Sequence, residues 1–125
     1  MSTTQHHAVV ATTWSKDRFE QMRTWTEERR AVILPTGRLD MSSLFTFGES
    51  AINGFFTVAL LPDGSGEGWD ADVHGDMLRD EFIAKLSEFV YDNGSNPWKW
   101  VEVSYGDRGQ KLVRGNCIDR VGDGL

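Results

Sequence analysis

The chain has 125 residues, 13 of them basic and 19 acidic, for a formal net charge of −6. That length fits one domain and leaves no room for two independent cores, so 1–125 is read as a single unit with residues 119–125 as a frayed tail. The acidic balance disfavours direct binding to nucleic acid or to an anionic membrane, both of which need a basic face.

In chain order, His6 to Thr13 (HHAVVATT) is rich in small and β-branched residues and predicts a first strand. Ser15 is a good N-cap, and Phe19 stands where it would close a hydrophobic staple with Trp14. Phe19, Met22 and Trp25 or Thr26 then recur at helical spacing, which predicts an amphipathic helix over roughly 15–30. Ala31 to Pro35 (AVILP) reads as a short apolar strand ended by Pro-Thr-Gly. Leu44 to Phe47 and Phe55 to Leu61 are two further strand-like runs. Asn53-Gly54 lies between them, and both residues tolerate the positive φ of a tight hairpin. Gly48, inside the first arm, suggests a bulge or bend.

Pro62 to Gly68 (PDGSGEG) is a loop by composition. A second helix is expected to begin within Asp72–Asp76 and to run to about Tyr91, with Leu78, Phe82, Leu86, Phe89 and Val90 as its apolar stripe. Asn93-Gly94, ahead of Pro97, marks its stop. Trp98 to Tyr105 and Lys111 to Ile118 read as a hairpin about Gly106-Asp107-Arg108-Gly109. The expected order is β-α-β-β-β-α-β-β. An α+β domain follows, with a mostly antiparallel sheet and two helices on one face; a crossover at the sheet centre would make it ferredoxin-like.

Charge is unevenly spread. Residues 1–60 hold six basic and six acidic groups, residues 61–96 two and nine, and residues 97–125 five and four. The acidity therefore sits in the middle, where Asp63, Glu67, Asp70, Asp72, Asp76 and Asp80 fall in a loop and at a helix start. Carboxylates at a helix start favour the positive end of its dipole.

Four groupings have chemistry to weigh. Asp63-x-Ser65-x-Glu67-Gly68 resembles the opening of a calcium-binding EF-hand loop, but the twelfth position is His74 and a strand precedes the loop. The plainer reading is a solvated Gly-rich loop. Asp70, Asp72, His74 and Asp76 alternate; were the stretch extended, Asp72, His74 and Asp76 would share one side and converge on a divalent cation. The plainer reading is a charge-matched helix start with His74 in solvent, so neither a metal nor any other cofactor is expected. His6 and His7, as strand neighbours, point to opposite faces and would not chelate together. Trp98 and Trp100 share one strand face, either packed on a helix or presented to a partner.

Cys117 is the only cysteine. It cannot close an internal disulfide, and it reads as a small apolar residue late in the last strand rather than a nucleophile. No apolar run reaches the roughly 18 residues of a spanning helix. The first seven residues lack the basic start and apolar stretch of a signal peptide, so the expected address is the cytoplasm.

The leading expectation is a non-enzymatic binding protein, of the inhibitor or immunity-like kind found among bacterial and phage accessory proteins. It would present the acidic segment 63–81 to a basic protein partner. Trp98 and Trp100 are the alternative contact. A small metal-dependent hydrolase using Asp70, Asp72, His74 and Asp76 is the runner-up, and a structural homodimer joined through an edge strand is a further reading.

Overall fold

A computed structural model describes residues 4–38, 40–64 and 70–117, the side chains of 70–72 excepted. The chain order is β1 (Gln5–Thr13), α1 (Lys16–Ile33), β2 (Phe45–Glu49), β3 (Phe56–Leu60), α2 (Asp70–Ser87), β4 (Lys99–Gly106) and β5 (Gly109–Gly115). The five strands make one antiparallel sheet in the order β2-β3-β1-β4-β5. With every neighbour antiparallel, β1 and β2 run the same way with β3 between them, and β3 and β4 do so with β1 between them. Two β-α-β units are thus interleaved, and β5 adds a fifth strand at one edge.

Side chains alternate along each strand, so one face of the sheet receives Val9, Ala11 and Thr13 from β1. It also takes Phe56, Val58 and Leu60 from β3, and Trp100, Glu102 and Ser104 from β4, all buried. Both helices cover this face. Helix α1 begins at Ser15, whose hydroxyl oxygen accepts from the Arg18 N–H at 3.3 Å. Its buried residues Phe19, Met22, Thr26 and Ile33 follow helical spacing. Phe19 stacks on Phe56 at 4.9 Å between ring centroids, and Phe82 of α2 meets Phe45 edge-on at 5.1 Å. Full burial of each such side chain contributes about 1.5–3 kcal/mol relative to exposure.

The Asn53-Gly54 expectation holds. Both residues have positive φ, 61° and 65°, in the turn between β2 and β3. Four local expectations do not. Ala31 to Pro35 is no strand: α1 continues to Ile33, whose side chain extends the helix stripe, and Leu34–Thr36 is a 3-10 turn with Pro35 near its start. The sheet accordingly has five strands where the sequence pattern counted six. Gly48 sits in regular register opposite Thr57, and the sheet's irregularity lies in the β4–β5 pair instead, at Glu102/Val103. Trp14 is more than half exposed, while Phe19 packs on the sheet. Helix α2 starts earlier than expected and ends at Ser87. Among the described residues no helix is long and apolar enough to cross a membrane.

Candidate functional site

Strand alternation sends Glu102 inward beneath α2, where its side chain is only 4% exposed. A buried carboxylate needs partners, because desolvation penalises an unpaired charge by several kcal/mol. Arg114, opposite it on β5, donates through Nε at 2.5 Å, and the His7 ring Nδ1 stands 3.2 Å away on β1. Arg79 of α2 brings Nε to 3.9 Å. Arg79 is itself buried; it reaches Asp63 at 3.4 Å and also pairs with Asp76. Arg114 extends to Asp80 at 2.6 Å. Burial works against the Arg114 charge, but the hydrogen bonds it donates to Asp80 and Glu102 outweigh it and raise its pKa. A second knot joins Glu81 of α2 to Arg29 of α1 and, at 2.9 Å, to Arg38.

Every carboxylate of segment 63–81 whose side chain is described therefore has an arginine partner within its own chain. Asp63 is 10% exposed, against 60% for Asp76 and 67% for Asp80. Asp63 turns inward to Arg79 and so is not presented to a partner with the rest of the acidic segment. Glu67 and the side chains of Asp70 and Asp72 lie outside the described residues, as do residues 65–68 of the EF-hand-like stretch.

The alternation that would have gathered Asp70, Asp72, His74 and Asp76 round a cation requires an extended chain. Here the stretch belongs to α2, where residues two apart stand on different sides. Among the described residues no three His, Cys, Asp or Glu side chains are placed to hold a metal ion. Trp98 and Trp100 are both buried in the core, so neither is a contact surface; Trp98 packs beside Phe89 at 6.3 Å. Cys117 is exposed and past the end of β5, not within a strand.

Two features escaped the sequence reading. The first is the His7–Glu102 pair, with Ser104 directly opposite His7 on β4. Serine, histidine and carboxylate here do not make a nucleophilic triad. Ser104 is almost wholly buried, and its hydroxyl accepts from the Gln5 Nε2 at 2.8 Å. No signal short of the β1–β4 pairing, about a hundred residues apart, would have joined them.

The second is the face of the sheet that carries no helix. The register places Ala8 beside Val103 and Val103 beside Leu112; the next row sets Ala59 beside Val10 and Val10 beside Val101. Val10 is 38% exposed and Leu112 46%, and the bulge residue Val113 is exposed as well. Strands about 4.8 Å apart make this aliphatic belt, from β3 to β5, roughly 14 Å long across the sheet. Thr12 and Thr57, whose hydroxyls lie 3.1 Å apart, border it with Lys99 on one side. His6 and Tyr105, with ring centroids 5.2 Å apart, border it on the other. No outward position of the five strands on this face is an Asp or Glu, in a chain of net charge −6.

Comparison with known proteins gives no relative: no family model, no curated protein and no solved structure matches the chain.

Proposed function

We propose that this chain is a non-enzymatic binding protein and that it meets a protein partner with the helix-free face of its sheet. The observation that carries this reading is the aliphatic belt of Ala8, Val10, Ala59, Val101, Val103 and Leu112. An antiparallel sheet with one solvated face alternates apolar and polar residues. Here β1 reads Ala8-Val9-Val10-Ala11 through its middle, apolar toward both faces. Contiguous exposed apolar surface on a small domain marks a contact surface. The partner that fits is flat, aliphatic and poor in charge. A second copy of this chain satisfies that description too, since no carboxylate on the belt opposes self-association. A cytoplasmic address goes with this reading, in keeping with the lone cysteine.

One observation favours a second reading, in which the outward side of α2 faces a basic protein. Asp76 and Asp80 remain well exposed although paired, and Asp76 shares Arg79 with Asp63. Surface carboxylates of this kind speed encounter with a cationic partner.

Partner capture from the native source separates the two, using the wild-type chain, a Val103→Glu/Leu112→Glu variant and an Asp76→Asn/Asp80→Asn variant. Loss of the captured partner, or of the dimer in sedimentation, with the first variant alone supports the sheet face. Loss with the second alone transfers the interface to α2. Retention by both contradicts both readings.

A further inference from the structure

The sheet has two edges, β2 and β5, and they are closed to different degrees. β5 carries Lys111 and Arg114 and is bulged against β4 at Glu102/Val103, features that keep an edge from pairing with another chain. β2 reads Phe45-Thr46-Phe47-Gly48-Glu49, in regular register with β3 and with neither lysine nor proline. Thr46, Gly48 and Glu49 are exposed.

The Ser50 N–H donates to the Phe55 carbonyl at 2.8 Å, and the Leu61 N–H to the Leu44 carbonyl at 3.0 Å. Antiparallel pairs alternate, so the hydrogen bonds to β3 fall on the even-numbered residues of β2. Phe45, Phe47 and Glu49 therefore turn their main-chain groups to the open edge. The Phe45 N–H is taken by the Ser42 carbonyl, which leaves its carbonyl, both groups of Phe47 and the Glu49 N–H for a further strand.

Between α1 and this edge lies a groove of about 290 Å³ lined by Arg23, Thr26, Glu27, Arg30, Ser42 and Phe47. The Arg23 guanidinium is held over the Phe19 and Phe47 rings, 5.1 and 5.0 Å from their centroids. Arg30 is paired with Asp40, but Arg23 makes no ion pair among the described residues. Glu49 makes none either, and it points to the same side of the sheet as Phe47.

We propose that β2 pairs antiparallel with β2 of a second copy of this chain, about a two-fold axis at Phe47. Each Phe47 then exchanges both main-chain hydrogen bonds with its counterpart, and each Glu49 N–H reaches the Phe45 carbonyl opposite. The same register sets Glu49 of each copy beside Phe45 of the other, at the mouth of the groove where Arg23 waits. Two charges without ion-pair partners in one chain thus become two symmetric pairs in the dimer, as a self-complementary interface requires. The axis stands perpendicular to the sheet, so the helix-free belts of both copies stay exposed on one side. The contact is separate from that face and does not depend on it.

Sedimentation of the full chain through a concentration series up to the millimolar range tests this. A dimer is expected, weakened about tenfold or more by Arg23→Glu or Glu49→Arg, since reversal turns two symmetric attractions into repulsions. The double variant Arg23→Glu/Glu49→Arg should restore it. Glu49→Pro should abolish the dimer with little change in the urea midpoint, because that N–H serves no bond to β3. Val103→Glu/Leu112→Glu should leave it intact, so a failure of the helix-free face as a contact surface would not touch this result. A chain that stays monomeric, a dimer lost only in the Val103→Glu/Leu112→Glu variant, or a charge swap that fails to restore association overturns the proposal. Capture of a foreign protein by a monomeric chain, abolished by Glu49→Pro, would assign the edge to that protein and overturn it as well.

Discussion

The carboxylate of Asp63 lies against the bare backbone of Gly75, in the space a side chain there would fill. A Cβ on Gly75 would overlap Asp63 Oδ2 and come within 2.9 Å of its Cγ. In a helix interior, Gly→Ala ordinarily stabilises by up to about 1 kcal/mol. Here it should destabilise, by about 1–3 kcal/mol, because Asp63 would be pushed off buried Arg79. Urea unfolding of Gly75→Ala alone and in an Asp63→Ala background checks this. The substitution should lose stability in the first case and gain it in the second. A gain in both would mean the contact is not what selects glycine.

Arg114 bridges two carboxylates that differ in burial, and their removal should differ accordingly. Glu102→Ala strips the shared partner of Arg79 and Arg114 in the interior and should cost about 3–5 kcal/mol. Asp80→Ala removes an exposed partner and should cost less than about 1 kcal/mol. Equal losses in unfolding free energy would contradict the network as described.

Phe82 is fully buried between Phe45 and Trp25. Phe82→Ala should cost about 3–5 kcal/mol through lost burial and the cavity left behind. An unchanged urea midpoint would show that α2 is not seated as described.

The first helix stripe, the Leu78, Phe82 and Leu86 part of the second, the Asn53-Gly54 turn and the terminal hairpin were legible in the sequence because each is a local signal of spacing or backbone preference; Phe89 and Val90 lie beyond the end of α2 at Ser87, and Val90 is exposed. Ala31 to Ile33 misled because three apolar residues fit a buried strand or a helix end equally well. The acidic segment was legible as charge but not as structure. Asp76 pairs within its own helix with Arg79, but the other arginine partners lie far along the chain, as with Arg29 and Glu81 or Asp80 and Arg114, so only the folded topology shows that these carboxylates serve the fold. The helix-free belt stayed hidden for a related reason: which residues face outward is known only once register fixes the other face.

Asp40 predicts a pH effect. The Ser42 hydroxyl donates to it at 2.6 Å and the Ser42 N–H at 3.0 Å, with Arg30 at 2.9 Å, and these hold its pKa below the usual carboxylate value against a weaker burial effect. A depressed folded pKa adds stability above the unfolded value of about 3.9 and loses it as pH falls through the lower folded value. The Asp40 carboxyl carbon should titrate below a free aspartate by NMR, and Ser42→Ala should move that midpoint upward. A midpoint indifferent to Ser42→Ala would rule out this cause.

Whether the helix-free sheet face meets the partner is tested most directly by site-specific photo-crosslinking in the native source. A photoreactive residue at position 112 stands on the aliphatic belt, and one at position 84 stands on the exposed side of α2. A discrete cross-linked adduct is expected from position 112, to another protein or to a second copy, and none from position 84. Adducts from position 84 alone would contradict it and place the interface on the acidic helix.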